Sequence, residues 1–347
     1  MSFMESWPVS LKVITFILAL IIGIFCLVKF CDIFVDASCS IAKKLHISEL
    51  IIGLTIVAMG TSCPELAVSV SDSISTLING GNANVAIGNV VGSNICNLLL
   101  VLGASCLFTP IIVKKSICKK EYPFLIGISI LLVIFVIFFG LNSFVGEYVV
   151  TRIEGIIFVL LIGVYIYLLI KSNKNNNEQI NEEVSEIKEI KLWKSIILVI
   201  VGCAGIIFGG EAVVFGAKGI ALEISDAAHL DHDLAEALIG LTIVAVGTSL
   251  PELVTSVVAS KKGQNELALG NVIGSNIFNT LFVLGISATV NPLTSGSQIV
   301  VDVIFMLVVT LLVFVFALKG KIGKVHGYIL LCLYLGYLAY LVTRTII

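Results

Sequence analysis

The chain has 347 residues, of which 58% are hydrophobic and 13% charged, with a net charge of −2 and a mean hydropathy of +1.10. Soluble domains carry about 25% charged residues. This composition therefore excludes a soluble globular protein, offers no basic surface for nucleic acid, and indicates an integral membrane protein.

Ten stretches are apolar and long enough to cross a bilayer, for which about 20 residues are needed. The first ends in charged residues with no small-residue cleavage site after it, so we expect a transmembrane helix there and not a cleaved signal. The second, third, seventh and eighth stretches are less apolar than the others and carry Gly, Ser, Thr and Asn. The predicted spans are 11–35, 48–75, 86–108, 122–142, 150–171, 194–221, 234–260, 266–289, 299–319 and 325–345.

The distribution of lysine predicts the orientation of these spans. Lysines occur in the loops at 43–47, 114–121, 171–193, 261–265 and 319–324, whereas the alternate loops contain neither Lys nor Arg. By the positive-inside rule the lysine loops are cytoplasmic and both termini are extracellular. We therefore expect a multi-pass protein of the plasma membrane.

The second predicted span contains the motif "GTSCPE", and the seventh contains "GTSLPE". Proline inside a helix removes a backbone donor and crowds the preceding turn, so we expect a kink or break at Pro64 and at Pro251. Carbonyl groups freed at membrane depth must face protein or a polar cavity. The glutamate that follows each proline costs about 3 kcal/mol or more in the membrane unless it is neutralised.

Both motifs belong to an internal repeat. Residues 53–66 differ from 240–253 at two of 14 positions, and residues 88–103 differ from 270–285 at four of 16. Each copy lies in a half of five spans, and because five is odd the second half must cross the membrane in the opposite direction. The sequence therefore predicts an all-α polytopic membrane protein with ten transmembrane helices in two inverted-topology five-helix repeats. The expected units are residues 1–171, a polar cytoplasmic linker at 172–193, and residues 194–347.

Oxygen atoms of both halves are expected to converge where the two breaks meet. Ser62 and Glu65 are three positions apart and therefore share one helical face. The next helix of each half adds a Ser and an Asn four positions apart, within a small-xxx-small pattern that permits close helix contact. The predicted oxygen groups come from Ala58, Thr61, Ser62, Glu65, Ser93 and Asn97 in the first half, and from Ala245, Thr248, Ser249, Glu252, Ser275 and Asn279 in the second.

Carboxylate, hydroxyl and amide oxygens without imidazole suit a hard cation such as Ca²⁺ or Na⁺. A thiolate metal site at Cys63 and Cys96 is one alternative, and a pair of protonated structural glutamates is the other. The nine cysteines are odd in number and contain no CxxC pair, which argues against a zinc site or a disulfide framework. Duplication of the glutamate in an inverted pair argues against a purely structural role.

Three other groups of charged residues have simpler interpretations. Asp72 follows Glu65 on the same face and is either an attractor for cations at the external mouth or a solvated acid at a helix end. Asp32 and Asp36 are expected to form an internal ion pair near Lys29. The stretch "HLDHD" at 229–233 is expected to be a solvated loop.

With these motifs the sequence resembles the cation/calcium exchanger superfamily, and the sodium/calcium exchangers in particular. The resemblance covers essentially the whole chain, as two repeats of the forms G-T-S-x-P-E and G-S-N-x-x-N joined by a cytoplasmic loop. It implies that Glu65 and Glu252 are the central ligands shared by Ca²⁺ and Na⁺, and that the other ten oxygen-bearing residues complete the centre. The proton-coupled branch typically carries a "GNAxE"-like motif, which is absent, and the potassium-dependent branch typically has Asp at the position of Asn279.

The expected function is therefore a sodium/calcium antiporter that exports Ca²⁺ in exchange for Na⁺ by alternating access, without enzyme activity or a cofactor. Its expected partners are the two ions and the lipid bilayer, with no obligate protein partner. A proton-coupled or potassium-dependent exchanger and a passive cation channel are the alternatives. An intramembrane enzyme would need a nucleophile–base pair, paired catalytic Asp residues or a zinc-binding helix, and the sequence has none of these.

Overall fold

The computed structural model describes residues 7–45, 47–79, 85–139, 141–142, 147–174, 190–227 and 245–346, which form an almost entirely helical bundle. The helices are α1 Val9–Leu45, α2 Glu49–Thr61, α3 Cys63–Asn79, α4 Val85–Phe108, α5 Lys115–Ile137, α6 Arg152–Lys174, α7 Leu192–Ala227, α8 Ala245–Thr248, α9 Leu250–Lys261, α10 Asn265–Val290, α11 Gln298–Leu318 and α12 Lys324–Ile346.

Within the described residues, eight helices are long and apolar enough to cross a membrane, and α2 with α3 makes a ninth span that is bent by 48°. The predicted span at 234–260 is described only from Ala245 onward, as α8 and α9, and its first part lies outside the described residues. The predicted linker at 172–193 is shorter than expected, because α6 continues to Lys174 and α7 begins at Leu192. Its residues 175–189 lie outside the described part of the chain.

Helix α1 extends well beyond its predicted end at residue 35, because the acidic residues in its second half have a basic partner. The Nζ atom of Lys262, just after α9, lies 2.7 Å from Asp36 Oδ1 and 3.2 Å from Asp32 Oδ1. The expected partner Lys29 was therefore wrong: the ion pair links the two halves of the chain. Because the Lys262 ammonium pairs with both acidic side chains, the otherwise apolar helix continues past them.

Helices α1 and α7 pack against each other in antiparallel orientation along most of their length. Glycines of α7 receive aromatic side chains of α1: a Cβ on Gly205 would lie 2.0 Å from the ring of Phe30, and one on Gly202 2.8 Å from Cβ of Phe34. Close approach of this kind requires residues without a side chain. At one end of the pair, the Lys12 ammonium lies 3.3 Å from the Glu223 carboxylate.

Helices α4 and α10, which carry the repeated "GSNxxN" motifs, are the most buried spans and occupy the centre of the bundle. Helix α2 crosses α10 so closely that a Cβ on Gly274 would lie 2.7 Å from Cα of Leu54 and 2.8 Å from Cβ of Ala58. The small-xxx-small pattern of the second repeat thus makes the close contact expected from the sequence. The matching contact for Gly88 and Gly92 would involve residues before Ala245, outside the described residues.

Five short strands pair the loops at the two ends of the bundle. Loops that the lysine pattern places on the same side of the membrane lie together. The ion pair of Lys114 with Glu266, 2.6 Å apart, joins the lysine loops at 114–121 and 261–265. Strands β1 Ile111–Ile112 and β5 Lys321–Ile322 form one antiparallel sheet, and β2 Leu141–Asn142, β3 Glu147–Val150 and β4 Leu293–Ser295 form the other.

Candidate ion-binding site

Two helix breaks lie in the interior of the bundle, one from each repeat. Ser62 separates α2 from α3 with φ −83° and ψ 8°, and Ser249 separates α8 from α9 with φ −87° and ψ 4°. Pro64 and Pro251 each occupy the second position of the new helix. A missing N–H there removes no hydrogen bond within that helix. Each break therefore lies two residues before the proline, and the proline starts a helix instead of bending one.

Each break places a glutamate at the positive end of a helix. Glu65 lies in the first turn of α3 and Glu252 in the first turn of α9, and both side chains are fully buried. The backbone N–H groups of a first helical turn favour a negative charge, by about 0.3–1 kcal/mol at exposed sites and up to about 2 kcal/mol when partly buried. This offsets only part of the cost of burying two charged carboxylates.

Hydroxyl groups reach each carboxylate from the opposite half of the chain. Ser62 Oγ donates a hydrogen bond to Glu252 Oε1 at 3.1 Å, so the first break serves the glutamate of the second. In the same way, the hydroxyl of Thr248 in the second half lies beside the Glu65 carboxylate. Two more hydroxyls complete the pattern, those of Thr61 beside Glu252 and Ser93 beside Glu65.

The predicted hydroxyl residues also contact one another across the repeat boundary. Thr61 Oγ1 lies 3.1 Å from Asn271 Oδ1 and 3.5 Å from Ser275 Oγ, both on α10. Ser93 Oγ on α4 lies 3.5 Å from Thr248 Oγ1. The first break is therefore held against the second repeat, and the second break against the first.

Asn97 and Asn279 each begin a five-residue π-helical segment inside α4 and α10. Single π turns within α-helices widen the backbone and occur frequently at functional sites. The segment at Asn97 packs against α9, which carries Glu252, and the segment at Asn279 packs against α3, which carries Glu65. Neither turn was predicted, because hydrophobic periodicity does not distinguish a π turn from an α turn.

Several buried polar atoms of this centre have no hydrogen-bond partner among the described residues. A buried polar atom without a partner costs about 1–3 kcal/mol, and more when it is charged. A positive ion can supply a partner for the oxygens of this set, but not for its two amide nitrogens. These atoms are both carboxylate oxygens of Glu65, Oε2 of Glu252, Oγ of Ser249, and the side-chain O and N of Asn97 and Asn279.

Two asparagines that sequence reasoning missed hold the glutamate backbone. Asn89 Nδ2 donates to the carbonyl oxygen of Glu65 at 3.2 Å, and Asn271 Nδ2 donates to that of Glu252 at 3.4 Å. The sequence does contain an indication of this role, since both residues are the Asn of the repeated "GNVxG" stretches. Each amide also donates to a serine of the glutamate's own helix, Ser69 at 3.0 Å and Ser256 at 2.9 Å.

The backbone carbonyls of the first break are less free than the sequence suggested. The Gly60 carbonyl, which Pro64 leaves without an N–H, accepts a hydrogen bond from Cys203 Sγ of α7 at 3.2 Å. The Ala58 carbonyl accepts the N–H of Ser62 at 3.0 Å and the hydroxyl of Thr61 at 3.3 Å, so it already has two hydrogen-bond donors. Ala245 begins α8, but its side chain and the residues before it lie outside the described part.

Asp72 has a structural partner, which favours a role at the helix end over a role at the external mouth. Its Oδ2 accepts hydrogen bonds from the backbone N–H groups of Val85 at 3.2 Å and Ala86 at 3.3 Å, so it caps the first turn of α4. The stretch at 229–233 lies outside the described residues.

Among the described residues, the side-chain groups beside the two carboxylates are hydroxyls of serine and threonine. Hard cations take carboxylate, hydroxyl and carbonyl oxygens at about 2.3–2.6 Å, in flexible geometry for Ca²⁺. Two fixed negative charges from opposite halves can together balance one divalent cation or two monovalent cations. The arrangement is thus chemically suited to exchange one kind of ion for the other.

Comparisons with known proteins agree with this chemistry. The family model described as sodium/calcium exchanger protein matches residues 15–171 and 194–343. The protein named "Putative antiporter CaxA" of Alkalimonas amylolytica is 36% identical over 91% of this chain and 95% of its own length. Sodium/calcium exchanger MaX1 of Methanosarcina acetivorans is 32% identical over 93% of this chain and 97% of its own. The solved structure of the sodium/calcium exchanger from Methanococcus jannaschii superposes with a TM-score of 0.77 at 31% identity, covering 94% of this chain and 98% of that one.

Proposed function

Because the chain belongs to the sodium/calcium exchanger family, we propose that it exports Ca²⁺ in exchange for Na⁺ across a membrane. The observation that carries this proposal is the pair of fully buried glutamates, Glu65 and Glu252, of which the second accepts a hydrogen bond from Ser62 of the opposite half. A site with two fixed negative charges is neutral with one Ca²⁺ or with two Na⁺. Occupancy by one kind of ion therefore excludes the other, which is the requirement for antiport.

The transport centre that we propose is built around these two carboxylates. One Ca²⁺ between them removes their mutual repulsion and gives partners to the oxygens that have none among the described residues. The hydroxyl, amide and carbonyl oxygens around the carboxylates replace water in the ion's shell. The proposed ligands are Glu65, Glu252, Thr61, Ser62, Thr248, Ser249, Ser93, Asn97, Ser275, Asn279 and the carbonyls of Ala58 and Ala245, with Pro64 and Pro251 fixing the helix breaks.

The proposed architecture is two inverted five-helix halves, residues 1–171 and 194–347, joined by the segment 172–193. Equivalent contacts in the two repeats support it: Asn89 holds the carbonyl of Glu65 as Asn271 holds that of Glu252. Inverted halves allow alternating access, because exchanging the conformations of the two halves opens the same site to the other side. A continuous channel would not need this duplication.

The proposed location is the plasma membrane, with both termini outside the cell. The grouping of loops supports this orientation, since the lysine loops at 114–121 and 261–265 meet through Lys114 and Glu266. Of the loops without lysine, the two that contain β3 and β4 meet through the pairing of these strands. Lysine-rich loops are retained on the cytoplasmic side.

The function is tested by purifying the protein, reconstituting it in vesicles loaded with Na⁺, and measuring Ca²⁺ uptake after dilution into medium without Na⁺. We expect uptake that depends on the outward Na⁺ gradient and vanishes when Na⁺ is present on both sides. Vesicles loaded with K⁺ or choline, and vesicles with only a pH gradient, are the controls. Equal uptake in all vesicles would identify a passive channel, and uptake driven by the pH gradient alone would identify a proton-coupled exchanger.

Potassium is expected to be unnecessary for exchange. Asn97 and Asn279 are both neutral, so the two glutamates are the full negative charge proposed for the centre. One Ca²⁺ balances that charge, and no additional negative site remains to stabilise a K⁺ in a medium of low dielectric constant. Na⁺-driven Ca²⁺ flux should therefore be the same when K⁺ is replaced by choline on both sides at clamped membrane potential. A strict K⁺ requirement would contradict the charge count.

The matched variant for this prediction is Asn279→Asp, which adds a third carboxylate at almost constant volume. We expect its Ca²⁺ flux to become sensitive to protons or to monovalent cations that leave the parent protein unaffected. Identical ion dependence of the parent and the variant would place Asn279 outside the centre.

Pro64→Ala is expected to reduce transport without loss of folding. Alanine supplies the N–H that proline lacks, and this donor competes with the Cys203 thiol for the Gly60 carbonyl. The helix break at Ser62 then closes toward a continuous helix and withdraws the hydroxyl that Ser62 offers to Glu252. Exchange rate and thermal stability in detergent are measured for Pro64→Ala and Pro251→Ala. If both variants transport like the parent, the break does not position the ligands.

A further inference from the structure

Two cysteines from different helices meet beside the first helix break. Cys63 begins α3 and is exposed, and Cys203 of α7 is partly buried. The two thiols are neighbours at this break. Each is also anchored to the last turn of α2, Cys63 Sγ on the Met59 carbonyl at 3.3 Å and Cys203 Sγ on the Gly60 carbonyl at 3.2 Å. The sulfurs are therefore held together by two backbone carbonyls that are adjacent in sequence.

The other buried cysteines described here have different surroundings. Cys31 Sγ contacts Thr255 Oγ1 at 3.5 Å, and Cys39 Sγ contacts the side-chain oxygen of Gln264. Those thiols are buried, as are Cys96 and Cys106, whereas Cys63 and Cys332 are exposed, and of these two only Cys63 lies beside the helix break. Reaction at Cys63 would bring the modified sulfur directly against a second thiol.

We propose that Cys63 and Cys203 are an oxidation site, which a peroxide converts to a disulfide that fastens α7 to the helix break. The Cys63 sulfur attacks one oxygen of hydrogen peroxide, the O–O bond breaks, and a sulfenic acid and one water form. The Cys203 sulfur then attacks the Cys63 sulfur, the S–O bond breaks, and the hydroxyl leaves as a second water with the proton of the thiol. Two thiols are oxidised by two electrons, and one peroxide is reduced to two waters.

Oxidation also changes the hydrogen bonding of the break. Once its sulfur is bonded to Cys63, Cys203 has no S–H to donate to the Gly60 carbonyl, and Pro64 supplies no N–H in its place. The cross-link joins the break to α7, which is packed along α1 through glycine contacts. Relative movement between that helix pair and the ion-binding centre is then blocked. This consequence for transport rests on the function proposed above, whereas formation of the disulfide does not.

The first readout counts free thiols and does not depend on transport. The folded protein in detergent is treated with hydrogen peroxide, denatured, and labelled with a maleimide of known mass. The parent has nine free cysteines, and we expect seven labels after oxidation and nine again after dithiothreitol. Cys63→Ser and Cys203→Ser, which keep a small hydrogen-bonding side chain, should each give the same label count with and without peroxide. A count that does not fall by two in the parent, or that falls by two in both variants, overturns the proposal.

The second readout is Ca²⁺ exchange in vesicles before oxidation, after it, and after reduction. We expect exchange by the parent to fall in proportion to the cross-linked fraction and to return with dithiothreitol, while both serine variants keep their rate throughout. Unchanged exchange by a fully cross-linked parent would overturn the link to transport. Absence of exchange in the untreated parent would refute the proposed function and leave the thiol count as the decisive result for the disulfide.

Discussion

Glu65→Gln and Glu252→Gln are each expected to nearly abolish Ca²⁺ exchange. Glutamine preserves the size and shape of the side chain and removes its charge, so packing at the centre is unchanged. Two unit charges about 4 Å apart interact by about 4 kcal/mol at an effective dielectric constant near 20, and a unit charge with a divalent ion by about twice that, so the expected loss of Ca²⁺ affinity is at least roughly three orders of magnitude. The two variants should be comparably affected, because both side chains are fully buried and occupy equivalent positions in the repeats.

A matched control is Glu121, a buried glutamate outside the centre. Glu121 accepts a hydrogen bond from the Tyr165 hydroxyl at 2.9 Å, and a glutamine there can accept the same bond. Glu121→Gln should therefore transport like the parent. Initial rates of Na⁺-dependent ⁴⁵Ca²⁺ uptake and equilibrium Ca²⁺ binding are measured for the three variants. Near-normal exchange by either Glu65→Gln or Glu252→Gln would refute a centre that both carboxylates share.

Gly274→Ala is expected to destabilise the protein strongly, although alanine is the better helix former. A Cβ at this position lies 2.7 Å from Cα of Leu54 and 2.8 Å from Cβ of Ala58, so α2 and α10 must move apart. Overpacking of this kind costs about 1–3 kcal/mol, and here the displaced backbone belongs to the broken span. We expect a lower melting temperature in detergent and a lower rate of Ca²⁺ exchange.

Gly163→Ala is the control that changes helix propensity without affecting the contact between α2 and α10. Gly163 lies within α6, is exposed, and has no described atom within 4 Å of an added Cβ. Alanine there should leave exchange unchanged and keep or slightly raise the melting temperature, by the propensity difference of about 0.5–1 kcal/mol. A melting temperature for Gly274→Ala equal to that of Gly163→Ala would show that the two helices separate at no cost.

The sequence predicted those features that depend on local pattern and duplication. Hydropathy predicted the eight long apolar helices and the bent ninth span that the described residues contain. Proline within an apolar stretch predicted breaks at Pro64 and Pro251, and the structure has them two residues earlier, at Ser62 and Ser249. The repeat predicted that oxygen atoms of both halves converge on one centre, and the hydrogen bond from Ser62 to Glu252 joins the two halves there. Assignment of the ion ligands stays a prediction, since the described residues supply geometry and no bound ion.

Contacts between distant side chains could not be predicted, because periodicity specifies which face a residue lies on and not which helix covers that face. Lys262 was closer in space to Asp32 and Asp36 than the nearby Lys29, although more than two hundred positions separate them. The hydrogen bond from the Cys203 thiol to the Gly60 carbonyl is another contact between residues distant in sequence. The end of α1 was predicted too early for the same reason, since its charged residues are neutralised from elsewhere in the chain.

The crossed contacts at the centre also constrain how the protein is made. During synthesis Glu65 enters the membrane before Thr248 beside it has been translated, and Ser62 before its acceptor Glu252. At about 5–20 residues per second, the second half takes roughly 8–30 s to translate. During that time the first half holds a buried acid whose partner in the second half does not yet exist. The nascent first half must therefore keep Glu65 protonated, hydrated or covered by another protein until the second half arrives. A gene encoding residues 1–171 alone should accordingly yield a product that is degraded, and co-expression of residues 194–347 as a separate chain should rescue it.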